Sequence, residues 1–302
     1  MSTRVLVTGA SGQVGVDLTD ALAGATPPGG DAGFAPDGRA VAPGEFDVVG
    51  LTHADLDVTS EVGVRAALAH HAPEVVVHLA AYTAVDRAED EPDACFAVNA
   101  TGTAVVAAGA AEIGAHLVAV STDYVFAGDK GSAYAESDAT GPLNVYGASK
   151  LAGEGASGDG ATVVRTSWVM GVRGRTVLRA IVARALAGED VRFVDDQTGT
   201  VTNAADLARA LVTVVRERPG GLWHVADAGA ATWFDVAAAA GAALGRDAGF
   251  ATAIATRDLD PAPRARRPTR SDLDSSRFAA AFGPMPEWRD ALGRLVAAMG
   301  RG

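Results

Sequence analysis

Cysteine is nearly absent from this sequence: Cys95 is the single one among 302 residues. One thiol cannot form an internal disulfide, and nothing in the sequence indicates a cluster of metal ligands. A packed thiol in a reducing cytoplasm is the interpretation that fits Cys95.

Basic residues are also scarce. The chain has 25 Lys and Arg against 37 Asp and Glu, which gives a net charge of -12 at pH 7. Nucleic acids and anionic membranes attract an excess of basic residues, so this balance argues against both as partners. An anionic ligand must therefore be met by a local basic patch.

A secretory signal and long apolar runs are missing as well. The apolar residues 5–7 are too few for a signal peptide, and we see no run of about 18 apolar residues elsewhere. We therefore expect a cytoplasmic protein. With 48% apolar and 21% charged residues, the chain can bury a sizeable core, as one large domain with a smaller lobe.

The N-terminal residues have the pattern strand, glycine turn, helix. An apolar run at residues 4–8 is followed by three glycines spaced G-x-x-G-x-x-G and then by a helical pattern. Such glycines permit a tight turn, a close approach of backbone to a pyrophosphate, and close helix packing. The helix N-terminus then offers free N–H groups to the phosphates. We expect a dinucleotide to contact Gly9, Ser11, Gly12, Gln13 and Val14.

Residues 24–44 are rich in Gly and Pro, and we interpret them as a surface loop that is a tolerated insertion and not a site. The strand at residues 46–51 ends in Thr52-His53, without the acidic residue that favours NAD, so NADPH and NADH both stay open. Beyond it, Asp57 and Val58 are placed to line the adenine end of the cofactor. Alternatively, Asp57 caps the helix that begins near Ser60.

Residues 75–81 form a continuous apolar run, which is typical of a strand buried on both faces of a parallel sheet. The small residues at its end let a cofactor lie against the backbone, so Ala80, Ala81 and Tyr82 are further candidate cofactor contacts. His78 lies inside the run, and we interpret it as a core histidine. On the following helix, Asn99 is either a surface amide or a group that fixes backbone or water near the site, and we count it among the candidate cofactor-binding residues.

Two stretches carry candidate catalytic groups. The strand at residues 116–121 leads into Thr122, and hydroxyls at the carboxyl edge of a parallel sheet point to where ligands bind. Tyr146 and Lys150 are four residues apart at the start of a helix, so both can face one bound molecule. A neighbouring ammonium lowers the pKa of a phenol, and a phenol tuned in this way can exchange a proton with an alcohol or ketone.

Strands alternate with helices up to residue 168, which predicts an α/β fold with a Rossmann-type, doubly wound parallel sheet. We assign residues 1–170 to a dinucleotide-binding domain and residues 171–302 mainly to a smaller substrate-binding lobe. Some segments of that second half could return to the core. Helices are predicted at residues 177–187, 204–215, 232–244 and 288–299, with strands at 191–194 and 221–225.

Together these motifs resemble the extended short-chain dehydrogenase/reductases, and among them the dTDP-4-dehydrorhamnose reductases. The likeness runs from residue 3 to about residue 280. Val201 and the insertion at residues 24–44 depart from the family pattern. The motifs that carry the resemblance are the glycine turn, Ala80-Ala81-Tyr82-Thr83, Asn99-Ala100, Ser121-Thr122-Asp123-Tyr124, Asn144-Val145-Tyr146 with Lys150, Arg165-Thr166-Ser167-Trp168, Asp195-Asp196-Gln197 and Arg267-Pro268.

The resemblance implies reduction of the 4-keto group of dTDP-4-dehydro-6-deoxy-L-mannose to dTDP-L-rhamnose by hydride from NADPH or NADH. In that role Tyr146 would donate the proton, Lys150 would lower its pKa and hold the nicotinamide ribose, and Thr122 would hydrogen-bond the same oxygen. Asp123 and Trp168 would contact the sugar, although Trp168 could instead be an aromatic plug at a strand end.

Five arginines lie close together in the sequence, and we hypothesise that Arg267 or a neighbour receives the diphosphate, since guanidinium groups suit phosphate oxygens. A solvated basic loop is the alternative. The five are Arg257, Arg264, Arg266, Arg267 and Arg270.

Other functions of the same fold remain open. A sugar-nucleotide dehydratase or epimerase is one, but dehydratases carry an Asp-Glu pair after the threonine, and here Asp123 is followed by Tyr124. A non-catalytic regulatory subunit is another. Some members of the family bind magnesium at a dimer contact, and Asp17 falls where one ligand would lie, but the sequence does not supply the others, so no metal site is assigned. Monomer and homodimer are both compatible with the sequence.

Overall fold

Six parallel strands form the central sheet of the computed structural model, which describes residues 2–174 and 176–300. The strands in chain order are β1 (Thr3–Thr8), β2 (Phe46–Leu51), β3 (Val75–His78), β4 (His116–Thr122), β5 (Thr162–Thr166), β6 (Val169–Met170), β7 (Val191–Val194), β8 (Thr198–Gly199), β9 (Thr202–Asn203), β10 (Gly221–His224), β11 (Ala231–Thr232) and β12 (Ala251–Ile254). The sheet order is β10-β5-β4-β3-β1-β2. This confirms the predicted Rossmann-type, doubly wound parallel sheet.

Helices cover both faces of this sheet. The helices in chain order are α1 (Gln13–Leu22), α2 (Glu61–His71), α3 (Val85–Ala88), α4 (Pro92–Phe96), α5 (Gly102–Glu112), α6 (Val145–Ala156), α7 (Val177–Leu186), α8 (Ala204–Glu217), α9 (Trp233–Ala243), α10 (Ser276–Phe282) and α11 (Trp288–Met299). Side chains alternate along a strand, so Val5 and Val7 pack against α1 and α8, whereas Leu6 packs with α2 and α5 on the opposite face.

Two segments from the second half of the chain belong to this central layer. Strand β10 pairs in parallel with β5, and its partners run from Gly221 with Thr162 to His224 with Arg165. Helix α8 lies against α1, with Leu207 and Leu211 fully buried in the shared core. A single division after residue 170 therefore does not separate the central sheet from the rest of the chain.

The remaining segments of the second half form a smaller lobe with its own core. Strand β12 pairs with β7, β11 with β8, and β9 with β6. Helices α7, α9 and α11 enclose an apolar cluster that includes Ile181, Val236, Phe250 and Trp288. This lobe lies beside the carboxyl edge of the central sheet, and the cleft described below opens between the two.

The Gly/Pro-rich residues 24–44 form the predicted surface loop, without helix or strand, and the loop is attached to α8. Arg216 of α8 donates to the carboxylate of Asp37 at 2.9 Å, to that of Glu45 at 2.5 Å and to the carbonyl oxygens of Arg39 and Ala40. Phe34 and Val41 pack against the main core. A buried guanidinium and two apolar side chains therefore fix this surface loop to α8 and the main core.

The helical stretch Pro92–Glu112 is long and apolar enough to cross a membrane by length and composition. This corrects the impression from the sequence that no such stretch exists. In the fold its inner side packs on α2 and α6, and Cys95, Val106 and Ala110 are buried. Core helices of globular proteins pass the same length and composition test, so this alone does not indicate a membrane span.

Candidate active site

A cleft of about 890 Å³ lies at the carboxyl ends of β1, β3, β4 and β5. This is the edge at which ligands bind in open parallel sheets, and the volume is in the range of ligand sites. Most of the residues that we predicted from the sequence line it: Gly9, Ser11, Gly12, Gln13, Val14, Asp57, Val58, Ala80, Ala81, Tyr82, Thr122, Tyr146, Lys150 and Trp168. Asn99, Asp123 and Arg267 lie outside its lining and are described below.

The glycine turn brings backbone segments closer together than residues with a Cβ would allow. Gly9 has a φ of +68°, and a Cβ there would lie 2.7 Å from the backbone nitrogen of Ala80. A Cβ at Gly15 would overlap the carbonyl oxygen of Gly9. Gly12 precedes α1, and no side chain of the described residues caps the helix. The N–H groups of its first turn therefore face the cleft, as a pyrophosphate requires.

Asp57 lies at the far end of the cleft. Its carboxylate accepts hydrogen bonds from the backbone nitrogen of Thr59 at 2.9 Å and the hydroxyl of Thr59 at 2.7 Å. These bonds favour the charged form and lower the pKa of Asp57. The cap of α2 is Ser60, whose hydroxyl accepts from the nitrogen of Gly63. The alternative that Asp57 caps this helix is therefore excluded.

Helix α6 carries Tyr146 and Lys150 to the floor of the cleft. Asn144 begins the helix by accepting from the nitrogen of Gly147 at 2.8 Å. Gly147 lets the first turn press against the loop after β4, since a Cβ there would overlap the carbonyl oxygen of Tyr124. The ring of Tyr146 meets the ring of Tyr124 edge-on at 5.9 Å. Backbone packing thus places the phenol next to Thr122.

The protonation of this pair differs from the prediction. Burial raises the pKa of Tyr146 above its usual value, and the hydrogen bond with Thr122 only partly opposes that change. The ammonium of Lys150 donates to the carbonyl oxygen of Val120 at 2.7 Å, and burial lowers the pKa of Lys150 to about 8. The expected lowering of the Tyr146 pKa is therefore wrong here, because desolvation of the phenolate is the larger effect.

Sequence and structure comparisons show the family to which the chain belongs. Residues 3–301 match the family model described as the RmlD substrate binding domain. The chain belongs to this family.

Its relatives in the family are similar over almost their whole length. A dTDP-4-dehydrorhamnose reductase of Streptomyces griseus is 39% identical, over 96% of this chain and 91% of the relative. A probable dTDP-4,6-dihydroxy-2-methyloxan-3-one 4-ketoreductase of Streptomyces antibioticus is also 39% identical, over 96% and 93%. The crystal structure of a dTDP-4-dehydrorhamnose reductase from Bacillus anthracis in complex with NADP has a TM-score of 0.87 at 30% identity and covers 98% of this chain and 99% of that one.

In this family member Asn99 lies behind the cleft and not on its surface. It is fully buried in a π-helical turn, Ala97–Thr101, between α4 and α5. Its side chain accepts from the backbone nitrogen of Tyr82 at 2.8 Å and donates to the carbonyl oxygen of Tyr82 at 3.0 Å. Irregular turns of this kind are common near functional sites. Asn99 therefore fixes the backbone of a cleft residue, one of the two alternatives that the sequence left open.

Asp123 lies outside the lining of the cleft, and its contact with the sugar stays a prediction. It is 2% exposed and accepts hydrogen bonds from the hydroxyls of Ser271 at 2.5 Å and Thr122 at 3.1 Å. Burial raises the pKa of Asp123 to about 6. The carboxylate is thus bonded to these two hydroxyls, and Asp123 is not among the residues that line the cleft.

Arg267 also lies outside the lining of the cleft, and its contact with the diphosphate stays a prediction. Its two terminal nitrogens donate to the two carboxylate oxygens of Asp86, both at 2.8 Å. Arg264 and Arg270 are paired in the same way with Asp90 and Asp272. A guanidinium already committed to a carboxylate has fewer donors left for phosphate. Acidic neighbours that are distant in sequence therefore neutralise much of the arginine cluster.

Trp168 lines the cleft with a partner that the sequence did not reveal. Its indole stacks on that of Trp233 with ring centres 4.1 Å apart and an angle of 14°. Trp168 has a φ of +39°, and Gly199 makes room for its ring. Trp233 also lines the cleft, and the Thr232 and Asp235 capping box that starts α9 is the signal that could have located it. Thr176 and Val177, at the start of α7, line the same side.

Three buried polar residues make contacts that hold the fold together and do not line the cleft: His78, Cys95 and Asp17. His78 is 2% exposed and bonded to the Thr8 hydroxyl through Nδ1 at 2.8 Å, and burial lowers its pKa to about 3, so it is a neutral core histidine. Cys95 is buried with its sulfur 3.1 Å from the hydroxyl of Ser149. Asp17 is paired with Arg173 at 3.0 Å. Among the described residues, no three His, Cys, Asp or Glu are grouped to hold a metal.

Proposed function

We propose that this protein catalyses NAD(P)H-dependent reduction of the 4-keto group of a dTDP-4-dehydro-6-deoxyhexose. The observation that carries the proposal is that Thr122, Tyr146 and Lys150 face one cleft together with the glycine turn of Gly9 to Gly15. A proton donor and a dinucleotide-binding turn on the same cleft are what a carbonyl reduction needs. Membership of the family supports this assignment.

The residues at the glycine turn fit a nicotinamide dinucleotide. The contacts that exclude a Cβ at Gly9 and Gly15, with the uncapped start of α1, form a backbone cradle for a pyrophosphate. Ala80, Ala81, Asp57 and Val58 line the same cleft. The two alanines would leave room for the cofactor, and Asp57 and Val58 would line its adenosine end. When bound, the reduced nicotinamide supplies a hydride. Lys150 would hold the adjoining ribose through its ammonium.

Tyr146 is the proton donor of the proposed reaction. A ketone that accepts hydride develops negative charge on oxygen, and a nearby O–H group stabilises that charge and then transfers its proton. Burial raises the pKa of Tyr146, so the phenol keeps its proton at neutral pH. The raised pKa thus suits a proton donor, although we had predicted a lowered one.

Elimination, the chemistry of the related dehydratases, has less support. It requires a second carboxylate after Asp123 to act as base, and the residue there is Tyr124, whose ring packs against Tyr146. The finer proposal is that the substrate is dTDP-4-dehydro-L-rhamnose and the product dTDP-L-rhamnose. A relative named as a dTDP-4-dehydrorhamnose reductase at 39% identity supports this choice. We place the reaction in the cytoplasm.

The test is loss of NADPH or NADH absorbance when purified protein meets a panel of dTDP-4-keto-6-deoxyhexoses, followed by analysis of the configuration at C4 of each product. We expect turnover with the L-rhamnose precursor above the other sugars. Tyr146→Phe should lower kcat by about 100-fold or more, because the proton donor is lost. Tyr134→Phe, a buried tyrosine outside the cleft, is the control and should keep its turnover. Absence of turnover with every sugar and both cofactors would refute the proposal.

A further inference from the structure

A chain of hydrogen bonds runs from the C-terminal segment to the cleft. The hydroxyl of Ser271 donates to Oδ2 of Asp123 at 2.5 Å, and the hydroxyl of Thr122 donates to Oδ1 of the same carboxylate at 3.1 Å. Exposed fractions are 2% for Ser271, 2% for Asp123 and 7% for Thr122. Thr122 is the member of this chain that lines the cleft.

The carboxylate determines the direction of these bonds. An ionised carboxylate only accepts, so the single proton of the Thr122 hydroxyl is committed to Asp123. The lone pairs of Thr122 are then left for other donors, and one of them is the backbone nitrogen of Tyr124 at 3.2 Å. The bonds with Asp123 and Tyr124 therefore fix the orientation of the Thr122 side chain. Tyr146 lines the same cleft as Thr122.

Ser271 is held firmly enough to orient this chain. Its backbone nitrogen donates to the carbonyl oxygen of Thr198 at 2.8 Å. Two residues later, the nitrogen of Leu273 donates to the hydroxyl of Thr200 at 3.1 Å. Tyr134 donates its backbone nitrogen to the carbonyl oxygen of Asp272 between them. The segment is thus fixed on both sides of Ser271.

The burial of Asp123 does not favour stability. In the described part of the chain its hydrogen-bond partners are hydroxyl groups, and an ion pair with Asp123 is not observed there. Removing a carboxylate from water without a cation destabilises the fold. Groups of this kind concentrate at functional sites.

We propose that Asp123 and Ser271 are positioning residues for the keto reduction: together they orient the Thr122 side chain in the cleft that it shares with the phenol of Tyr146. This inference rests on the proposed function. It assigns a role in the site to the C-terminal segment around Ser271, which contacts Asp123.

The experiment compares three variants in the full chain. Ser271→Ala removes the far donor, Asp123→Asn replaces the acceptor by an amide of equal size, and Thr200→Val is the matched control. Thr200 is equally buried and braces the same segment, but it does not touch Asp123. For each variant we would measure kcat, KM for the keto sugar, the cofactor dissociation constant by tryptophan fluorescence, and thermal stability. Ser271→Thr tests rescue, since it restores a hydroxyl.

We expect kcat to fall roughly tenfold in Ser271→Ala and more in Asp123→Asn, because a misplaced proton donor lowers the rate without weakening binding. KM and cofactor affinity should change less than about threefold. Ser271→Thr should recover most of kcat. Thr200→Val should lose stability and keep kcat.

The pH profile gives a readout that a purely structural role would not move. The charge of Asp123 acts on two other titratable groups, Tyr124 and Tyr146. Burial keeps the pKa of both tyrosines above the usual value, so they stay protonated near neutrality. Asp123 is the group that titrates, with a pKa of about 6. The acid limb of kcat should appear in wild type and be absent from Asp123→Asn.

Two results would overturn the inference. One is a Ser271→Ala protein with wild-type kcat; the other is a parallel loss of kcat and stability in both Ser271→Ala and Thr200→Val. A crystal structure of Ser271→Ala separates this inference from the proposed function. If Thr122 keeps its rotamer and its bond to Asp123, the positioning role is refuted whether or not the wild type reduces a keto sugar.

Discussion

The side-chain amide of Asn99 holds both backbone polar groups of Tyr82: it accepts from the nitrogen at 2.8 Å and donates to the carbonyl oxygen at 3.0 Å. The same amide donates to the hydroxyl of Ser149 at 2.9 Å, and that hydroxyl donates to the carbonyl oxygen of Tyr146 at 2.7 Å. One buried side chain therefore connects the loop after β3 with the first turn of α6. This connection fixes the positions of the two walls of the cleft relative to each other.

Asn99→Ala should weaken both the fold and the cofactor site. It leaves the buried polar groups of Tyr82 without their partner, which destabilises a protein by about 1–3 kcal/mol. We expect the cofactor dissociation constant to rise about tenfold, since the Tyr82 backbone loses its position. Urea unfolding and a fluorescence titration measure the two effects. Asn99→Asp keeps the acceptor for the Tyr82 nitrogen, so its stability and its cofactor affinity should lie between those of wild type and Asn99→Ala. An unchanged cofactor affinity in Asn99→Ala would contradict the prediction.

Cofactor binding should weaken as pH rises through about 8. Burial lowers the pKa of Lys150 to about 8, so the ammonium is present below that pH and is lost above it. Dissociation constants measured from neutral pH to about pH 10 should therefore increase along the upper half of the range. In Lys150→Arg the charge persists at all these pH values, and the increase should disappear. A flat wild-type curve would show that Lys150 does not titrate there.

The stacking of Trp168 on Trp233 predicts how the addition of one methyl group at Gly199 should affect substrate binding. A Cβ at Gly199 would lie 2.5 Å from Cε2 of Trp168, so Gly199→Ala should displace this indole from Trp233. We expect the KM for the keto sugar to rise about tenfold while the cofactor dissociation constant stays within about twofold. Gly155→Ala is the control, since a Cβ there meets open space. An unchanged KM in Gly199→Ala would mean that Trp168 does not contact the sugar.

Asp227 should make stability depend on pH. It is 1% exposed, and burial, with the neighbouring Asp206, raises its pKa well above the usual value. The folded state thus binds a proton that the unfolded state releases, so this group's contribution is complete below about pH 4 and is lost as pH rises towards the folded pKa. Asp227→Asn should remove that loss, and its Tm should exceed that of wild type by a margin that grows with pH.

The exposed residue Asp247 supplies the control for this measurement. Asp247→Asn should leave the difference in Tm from wild type constant across the same pH range, since its carboxylate is in water and bonded only to the nitrogen of Gly249 nearby. If the Asp227→Asn difference is equally constant, the raised pKa of Asp227 is not coupled to folding. Calorimetry at several pH values distinguishes the two results.

Local sequence patterns were sufficient for the central sheet and for most of the cleft. The apolar runs of β1 and β3 predicted strands buried on both faces, and the glycine spacing predicted the turn that approaches Ala80. Tyr146 and Lys150 share a helix face because of their spacing alone. Each of these features depends on residues close together in the chain, so periodicity and spacing carry the information.

Pairings between distant segments could not be predicted in this way. Arg267 pairs with Asp86, Asp123 accepts a hydrogen bond from Ser271, and Trp168 stacks on Trp233. In each pair, the sequence around one residue gives no indication that it will contact the other. The attachment of residues 24–44 to α8 through Arg216 is of the same kind.

The sequence by itself therefore determined the parallel sheet, the glycine turn and the placement of Tyr146 and Lys150 on one helix that lines the cleft. Only the tertiary structure decided which charged groups remain free to meet a ligand and whether the phenol of Tyr146 has a raised or a lowered pKa. The reason is physical. Strand and helix patterns arise from contacts along the chain, whereas desolvation and ion pairing depend on what packs around a group after distant segments have come together.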